Sequence, residues 1–440
     1  MNMQTRRLDL WIRIMPEFEY KKDTPFFNIV VPTINTIRFG YIMEKLIMIN
    51  MPVLFTGNTG VGKSITSKIV LNALQESKLW IPITLIFSAQ TSSGRTQEIL
   101  ELKLEKRRRA VIGAPVGKRV CVFIDDINMP KLDTYGSQPS IELLRQILDY
   151  GGMYDREKLF WKDIEDVVIT AACAPPGGGR NPLTPRFVRH FAMLYIPSPT
   201  EESLKSIFRA VMRGFLKDFV QPIIDIGDNI VNATVQVYLR ISLDLLPTPE
   251  KSHYLFNLRD LSKCIQGMMQ ADPSFIREPK QMLRLFYHEC LRVFHDRLIN
   301  LEDKNYFYRL LSSICFTAFD DEVITLPDEK IIEKLPILLF GDFMAFGVPL
   351  EQRVYEEITN ITRIKSVLQD YLDDYSLSSG QDMGIIFFMD AIEHVCRLAR
   401  ILRSERGNGL LVGVGGMGKQ SLVKLSSHLN YYRYNYFDAN

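Results

Sequence analysis

Gly57-Asn58-Thr59-Gly60-Val61-Gly62-Lys63-Ser64 decides how this 440-residue sequence is read, because it meets the pattern G-x-x-x-x-G-K-[ST] at each fixed position. The glycines let the backbone take positive φ and turn its N–H groups onto phosphate oxygens. Lys63 offers a mobile point charge to the β- and γ-phosphates. Ser64 opens the following helix, where its hydroxyl can ligate Mg²⁺ beside the partial positive charge of the helix N-terminus. The flanks agree: Pro52–Thr56 reads as a buried strand entering the loop and Ile65–Leu74 as a helix leaving it. Upstream, Ile37, Tyr41, Ile42, Lys45, Leu46 and Ile49 set out a helix, so the order helix, strand, loop, helix begins an α/β nucleotide domain.

The second informative stretch is Val120-Cys121-Val122-Phe123-Ile124-Asp125-Asp126. Five apolar residues followed by two carboxylates describe a central parallel strand that carries acids into the crevice where ligands of such sheets bind. Taken alone this is an ordinary strand end. Downstream of a phosphate loop, Asp125 is placed to hold Mg²⁺ through water and Asp126 to orient or deprotonate the attacking water. Ile81–Ser88, Asp166–Ala174 and Ala192–Ile196 supply the other strands, giving a parallel five-stranded sheet flanked by helices.

Composition is ordinary for a globular chain, with 46% hydrophobic and 24% charged residues and a formal net charge of +2. Nothing there suggests a polyanion-binding surface. The one dense basic run, Lys103–Arg109, follows a helical stretch from Thr96 and reads as a solvated helix face, so neither nucleic acid nor membrane is expected as a partner. Val111–Lys118 reads as a Gly/Pro turn. Six scattered cysteines, with no C-x-x-C pair and no zinc spacing, imply a reducing compartment. The N-terminus has no apolar segment behind its charges, and Leu335–Leu350 is too short and too interrupted to span a bilayer, so a soluble intracellular protein is expected.

Past Pro197 the β signal fades. Ser203–Phe219, Ile223–Ile241, Leu255–Gln270 and Lys280–Leu301 are helical by periodicity and form a small lid domain; Arg259 sits at the edge of the apolar face made by Leu258, Leu261, Ile265 and Met268. A helix over Met389–Arg403, a turn at Gly407, a short strand at Leu410–Val412 and a second glycine loop then repeat the opening. That loop carries Gly413, Gly416, Gly418, Lys419, Gln420 and Ser421. Gln420 stands where the magnesium-binding hydroxyl belongs, with Ser421 one place late. The repeat marks tandem nucleotide modules, of residues 1–199 (large α/β part), 200–325 (helical lid) and 326–440 (linker and the truncated start of the next module).

Phe123–Pro130, Pro175-Pro-Gly-Gly-Gly-Arg-Asn-Pro-Leu-Thr-Pro-Arg-Phe187, Phe256–Ser262 with Gln266-Gly267, and Gly413–Leu422 together resemble the dynein heavy chains, in the order of the third AAA+ module of the motor ring and the beginning of the fourth, and nearer to axonemal than to cytoplasmic forms. The resemblance covers essentially the whole chain. It implies an ATP-driven motor ring acting on microtubules in the cytoskeleton of a cilium or flagellum axoneme. It further implies adjacent AAA+ modules of the same heavy chain and dynein intermediate and light chains as partners, and ATP or ADP with Mg²⁺ as cofactors. Carried onto these residues, Gly57–Ser64 binds phosphate and Val31-Pro32-Thr33 precedes the helix over the adenine. Asp125 and Asp126 are the magnesium-side and water-side acids, Arg259 is the lid arginine on the γ-phosphate, and Arg186 and Arg189 are fingers for a neighbouring module.

Three departures qualify that picture. Hydrolysing AAA+ sites usually carry Asp-Glu, whereas Asp126 is one methylene shorter, and small misplacements of water can cost on the order of a hundredfold in rate. Ala174 stands where a polar sensor is common, and Gln420 replaces the hydroxyl of the second loop. The expected function is therefore a regulatory nucleotide site with slow hydrolysis, the 440 residues alone binding ATP and hydrolysing it negligibly. The rival is a nucleotide-responsive AAA+ scaffold or remodelling protein without a motor role, which a coiled-coil stalk past Asn440 would discriminate against.

Overall fold

The computed structural model describes residues 10–319, 338–380 and 383–437. It contains two compact units, one taking residues up to Phe18 with Val30–Ser203, the other Glu19–Ile29 with the chain from Leu204 onward. The expected boundary between residues 325 and 326 lies outside the described residues.

In the first unit, Thr33 caps α1 (Ile34–Met48): its hydroxyl accepts from the Thr36 N–H, while the Thr36 hydroxyl accepts from the Thr33 N–H. There follow β1 (Val53–Thr56), α2 (Lys63–Glu76), β2 (Trp80–Ile86), α3 (Ser93–Lys103), β3 (Glu105–Arg108), β4 (Val111–Gly113) and β5 (Arg119–Asp125). After these come α4 (Pro139–Tyr150), β6 (Gly152–Tyr154), β7 (Trp161–Glu165), β8 (Val167–Cys173), α5 (Pro185–Val188) and β9 (Ala192–Tyr195). Five strands form a parallel sheet in the order β2-β5-β8-β1-β9, which is the sheet read from the sequence.

Its central strands are apolar because both faces are covered. Leu54, Val122 and Ile124 pack on one side with Ile141 and Leu144 of α4, while Val53, Phe55, Cys121 and Phe123 pack on the other with Val70 and Leu71 of α2. The sheet order places β8 between the strand ending in acids and the strand entering the phosphate loop. Close approach fixes the exit of β1: the Ile196 N–H donates to the Thr56 carbonyl at 2.8 Å, and a Cβ on Gly57 would lie 2.4 Å from the Ile196 carbonyl oxygen.

Three local expectations are corrected. The run Lys103–Arg109 is not a helix face: Glu105–Arg108 forms β3, antiparallel to β4, within a second sheet of order β3-β4-β7-β6. The expected turn over Val111–Lys118 likewise begins as β4. Tertiary pairing overrides the local charge pattern here, because the Arg107 guanidinium reaches Glu165 at 3.1 Å and Asp166 at 2.7 Å. Leu410–Val412 is the third correction, since these residues form no strand; among the described residues none pairs with them, and Leu410 and Val412 are 90% and 88% exposed.

The second unit contains the chain after α6 (Glu201–Phe215) begins: α7 (Gln221–Asp244), α8 (Leu258–Met268), α9 (Pro279–Val293), α10 (Leu301–Phe319), the two-stranded pair β10 (Phe340–Gly341) and β11 (Glu356–Glu357), then α11 (Ile361–Ser379), α12 (Met389–Arg403) and α13 (Lys419–Leu429). Helix α8 starts at Leu258 rather than at Leu255, because Asn257 caps it and exchanges hydrogen bonds with the first turn.

A buried ion pair joins the lid helices to α12. Glu289 of α9 is fully buried and accepts from Arg400 Nε at 3.0 Å on both oxygens, from Arg400 Nη2, and from the Tyr355 hydroxyl at 3.2 Å. Gly267 leaves room for that carboxylate, since a Cβ there would lie 1.7 Å from Glu289 Oε2. Burial works against the Arg400 charge, but the Glu289 carboxylate outweighs it and holds the guanidinium above its ordinary pKa. The neighbouring His288 is pushed well below its usual range, first by burial and then by Arg292 and Arg400, so it stays neutral beside the pair.

Removing one partner of such a pair strands the other charge, at about 3–5 kcal/mol. Arg400→Leu is expected to lower the unfolding free energy of the second unit in urea titration by that amount, whereas the double variant Glu289→Leu/Arg400→Leu recovers most of it. Equal losses in the single and double variants would contradict the pairing.

Candidate functional site

The loop from β1 to α2 is closed by its own lysine. Lys63 is the first residue of α2 and only 7% exposed; its Nζ donates to the Gly57 carbonyl at 2.8 Å and to the Asn58 carbonyl at 2.7 Å. The charge that would meet phosphate is thus held over the loop in advance. Burial lowers the Lys63 pKa, against which Cys173, Asp125 and Asp126 act in the opposite sense. Gly62 is the N-cap of α2 at φ +94, a left-handed conformation that lets the chain turn from loop to helix. Gly60 is also at positive φ, Asn58 Nδ2 reaches the Ser198 hydroxyl at 3.3 Å, and Thr59 and Val61 complete the loop.

Ser64 occupies the second position of α2 and is half-buried, and its hydroxyl makes no hydrogen bond among the described residues. Asp125 ends β5 and accepts from the Asp126 N–H at 3.2 Å; Asp126 leaves the strand at φ +51 with its side chain 43% exposed. A free hydroxyl and a half-buried carboxylate are the hard oxygen donors that Mg²⁺ takes, and such sites draw their remaining ligands from water and nucleotide phosphates. Among the described residues no cluster of three or more His, Cys, Asp or Glu side chains forms a metal cage.

At the end of β8, Ala174 is 4% exposed, and its carbonyl accepts from Asn128 Nδ2 at 2.8 Å. Asn128 is itself buried, and its Oδ1 has no hydrogen-bond partner among the described residues. The amide next to the missing sensor is therefore supplied from the acid-bearing segment. Asn128 lies within Phe123–Pro130, where the sequence assigns it no role, because its proximity to residue 174 arises only from strand pairing between β5 and β8. Cys173 was likewise missed: its thiol, pushed up by burial, is one of the groups acting on Lys63.

The remaining expected residues are distributed as follows. Val31 and Pro32 are half-buried ahead of α1, and Thr33 is occupied in capping it. Arg189 is tied within its own unit, donating from Nη2 to Asp149 Oδ1 at 2.8 Å, where His190 and Arg145 also converge. Arg186 is exposed and makes no hydrogen bond or ion pair among the described residues. In the second unit Arg259 is exposed on the first turn of α8, its N–H donating to Asn257 Oδ1 at 2.8 Å. Nearby Asp260 holds Arg297 at 2.6 Å.

The second glycine loop repeats the first in miniature. Gly416 and Gly418 are at positive φ, Gly418 is the N-cap of α13, and Lys419 Nζ donates to the Gly413 and Val414 carbonyls at 2.7 and 2.6 Å. Gln420 takes the position that Ser64 holds in the first loop. Ser421 is one residue further, turned about 100° around the helix, so its hydroxyl is displaced from the place a metal would need.

Three family descriptions match in chain order: the P-loop containing dynein motor region over residues 18–199, the dynein heavy chain ATPase lid domain over 207–304, and the P-loop containing dynein motor region D4 over 383–439. The chain is 57% identical over 433 residues to human dynein axonemal heavy chain 6, 43% over 440 residues to mouse dynein axonemal heavy chain 1, and 42% over 416 residues to rat dynein axonemal heavy chain 12. These alignments cover 98%, 96% and 92% of this chain and 10%, 10% and 13% of the relatives, so the chain spans about a tenth of the length of the relatives it matches.

Gly62→Ala isolates the backbone contribution to the loop, because a Cβ at this position meets nothing within 4 Å. Forcing a non-glycine residue into the left-handed region costs about 1–2 kcal/mol. The first unit is expected to lose that much stability in urea, and added ATP to stabilise the variant less than it stabilises the parent; an unchanged midpoint would contradict the conformation assigned to Gly62.

Proposed function

The chain belongs to the axonemal dynein heavy chain family, and from that premise we propose that its Lys63 site is a regulatory site that holds ATP or ADP with Mg²⁺ and turns ATP over slowly. Nucleotide binding follows from the family and from the preformed loop. The observation that carries the reading is the hydrogen bonding of Lys63 to the Gly57 and Asn58 carbonyls, which keeps an ammonium poised where phosphate would replace the two carbonyls as acceptor. Gly57–Ser64 would cradle the phosphates, and Ser64 and Asp125 would hold Mg²⁺. When bound, the metal neutralises charge on the phosphate oxygens.

Slow turnover is supported by two features. Asp126 is one methylene shorter than the usual glutamate, so it reaches an attacking water less well than a longer carboxylate would. Ala174 brings no side-chain donor. Arg259 is proposed as the lid contact to the γ-phosphate, and Arg186, rather than the tethered Arg189, as the residue available to a neighbouring module. For the Lys419 loop we propose phosphate contact with weakened metal binding, because Gln420 offers no hydroxyl.

For the whole heavy chain we propose ATP-driven movement on microtubules in a ciliary or flagellar axoneme. Its partners would be the adjacent AAA+ modules of the same chain, microtubules through other regions, and dynein intermediate and light chains.

Equilibrium titration with Mg·ATP tests the site. Lys63→Ala removes one or two charge-assisted hydrogen bonds and is expected to weaken binding about tenfold to a hundredfold, with slow turnover in the parent. Fast hydrolysis that Asp126→Asn abolishes would overturn the regulatory reading, and unchanged affinity in Lys63→Ala would overturn the site itself.

A further inference from the structure

The loop after β8 carries a cation for which the reading above has no use. Arg180 closes a tight reversal in which the Gly177 N–H donates to the Arg180 carbonyl at 3.0 Å and the Arg180 N–H returns to the Gly177 carbonyl at 3.2 Å. The next residue is pinned to the segment after the acids: the Asn181 N–H donates to the Asn128 carbonyl at 2.9 Å and Asn181 Nδ2 to the Pro130 carbonyl at 2.8 Å. Because β8 lies between β5 and β1 in the sheet, this loop is anchored between the acids and the phosphate loop.

The side chain of Arg180 is 24% exposed, and its Nε faces Asp126 Oδ1 at 4.0 Å. That separation attracts but is too long for a hydrogen bond. Nε is shielded from solvent and has no hydrogen-bond partner among the described residues. A buried donor left unmade costs about 1–3 kcal/mol, so this guanidinium is held, at a cost, in a place where an additional anionic acceptor would relieve it. Its charge is near enough to Lys63 to act on that ammonium, the smallest of the influences on it. A diphosphate engaged by the glycine loop would satisfy Lys63, and a third phosphate reaching toward the acids would meet the Asp126–Arg180 pair.

We propose that Arg180 reads the terminal phosphate of a nucleoside triphosphate from within its own module, supplying at the end of β8 the contact that Ala174 cannot make. The proposal rests on the nucleotide-site reading of Lys63 and adds a specificity-determining residue to it. Arg180 then exchanges its long contact with Asp126 for a direct hydrogen bond to a γ-phosphate oxygen, and the released Asp126 is free to turn toward water. Bound diphosphate leaves the Arg180–Asp126 contact in place, so occupancy by triphosphate or diphosphate sets two arrangements of one loop.

Calorimetric titration of the chain with magnesium adenylyl imidodiphosphate and with Mg·ADP tests this, using the parent, Arg180→Ala, Arg180→Lys and Lys63→Ala. One lost charge-assisted hydrogen bond predicts a fall of about tenfold to a hundredfold in triphosphate-analogue affinity for Arg180→Ala, with ADP affinity held within about twofold. Arg180→Lys, which keeps the charge, restores much of the loss, an outcome that a purely structural role for the guanidinium would not give. Equal losses for both nucleotides, or no loss for either, overturn the proposal while Lys63→Ala still weakens both. If the parent binds neither nucleotide, or Lys63→Ala weakens neither, the Lys63 site fails and this inference fails with it.

Discussion

One ammonium bound to two carbonyls organises the first unit. Lys63 can reach the Gly57 and Asn58 oxygens only if the chain between them turns back on itself, and that turn requires positive φ at Gly57, Gly60 and Gly62. The turn in turn requires a strand fixed on both sides. β1 provides it, paired with β8 and β9 and buried against α1 and α2 on one face and the α4 side on the other. A loop held this way presents its N–H groups and its lysine without a folding step at the moment of binding, which is the physical content of preorganisation.

The second loop repeats the same local chemistry. Lys419 makes the same two carbonyl contacts, and Gly418 takes the same left-handed cap. Yet the residues before it form no strand, Val412 is 88% exposed, and Lys419 is less buried than Lys63. The lysine and glycines thus close a loop locally in both places. The second unit gains its own rigidity elsewhere, from Glu289 and Arg400, whose mutual pairing joins α9 to α12 around a carboxylate that Gly267 admits.

Much of this was legible in the sequence. The five sheet strands are apolar runs because both their faces are covered, and the phosphate loop announces itself by glycine spacing. The second, smaller sheet was not legible: Glu105–Arg108 is almost wholly charged and owes its extended form to β4 and to the Arg107 contacts with Glu165 and Asp166. Leu410–Val412 differs in the opposite sense, being apolar enough for a strand while no strand among the described residues pairs with it. Within the site, the spacing of Lys63, Ser64, Asp125 and Asp126 carried their expected places. Asn128, Arg180 and the tether between Arg189 and Asp149 depend on which strands lie side by side and on contacts across about 40 positions or more of sequence, and no local pattern encodes those.

The most direct measurement is a structure of the chain determined with Mg·ATP. The account predicts phosphate density inside the Gly57–Ser64 turn, with Lys63 Nζ moved from the Gly57 and Asn58 carbonyls onto phosphate oxygens and β1 and Gly57 unmoved. Density elsewhere, or a Lys63 that keeps both carbonyl contacts with nucleotide bound, would contradict it.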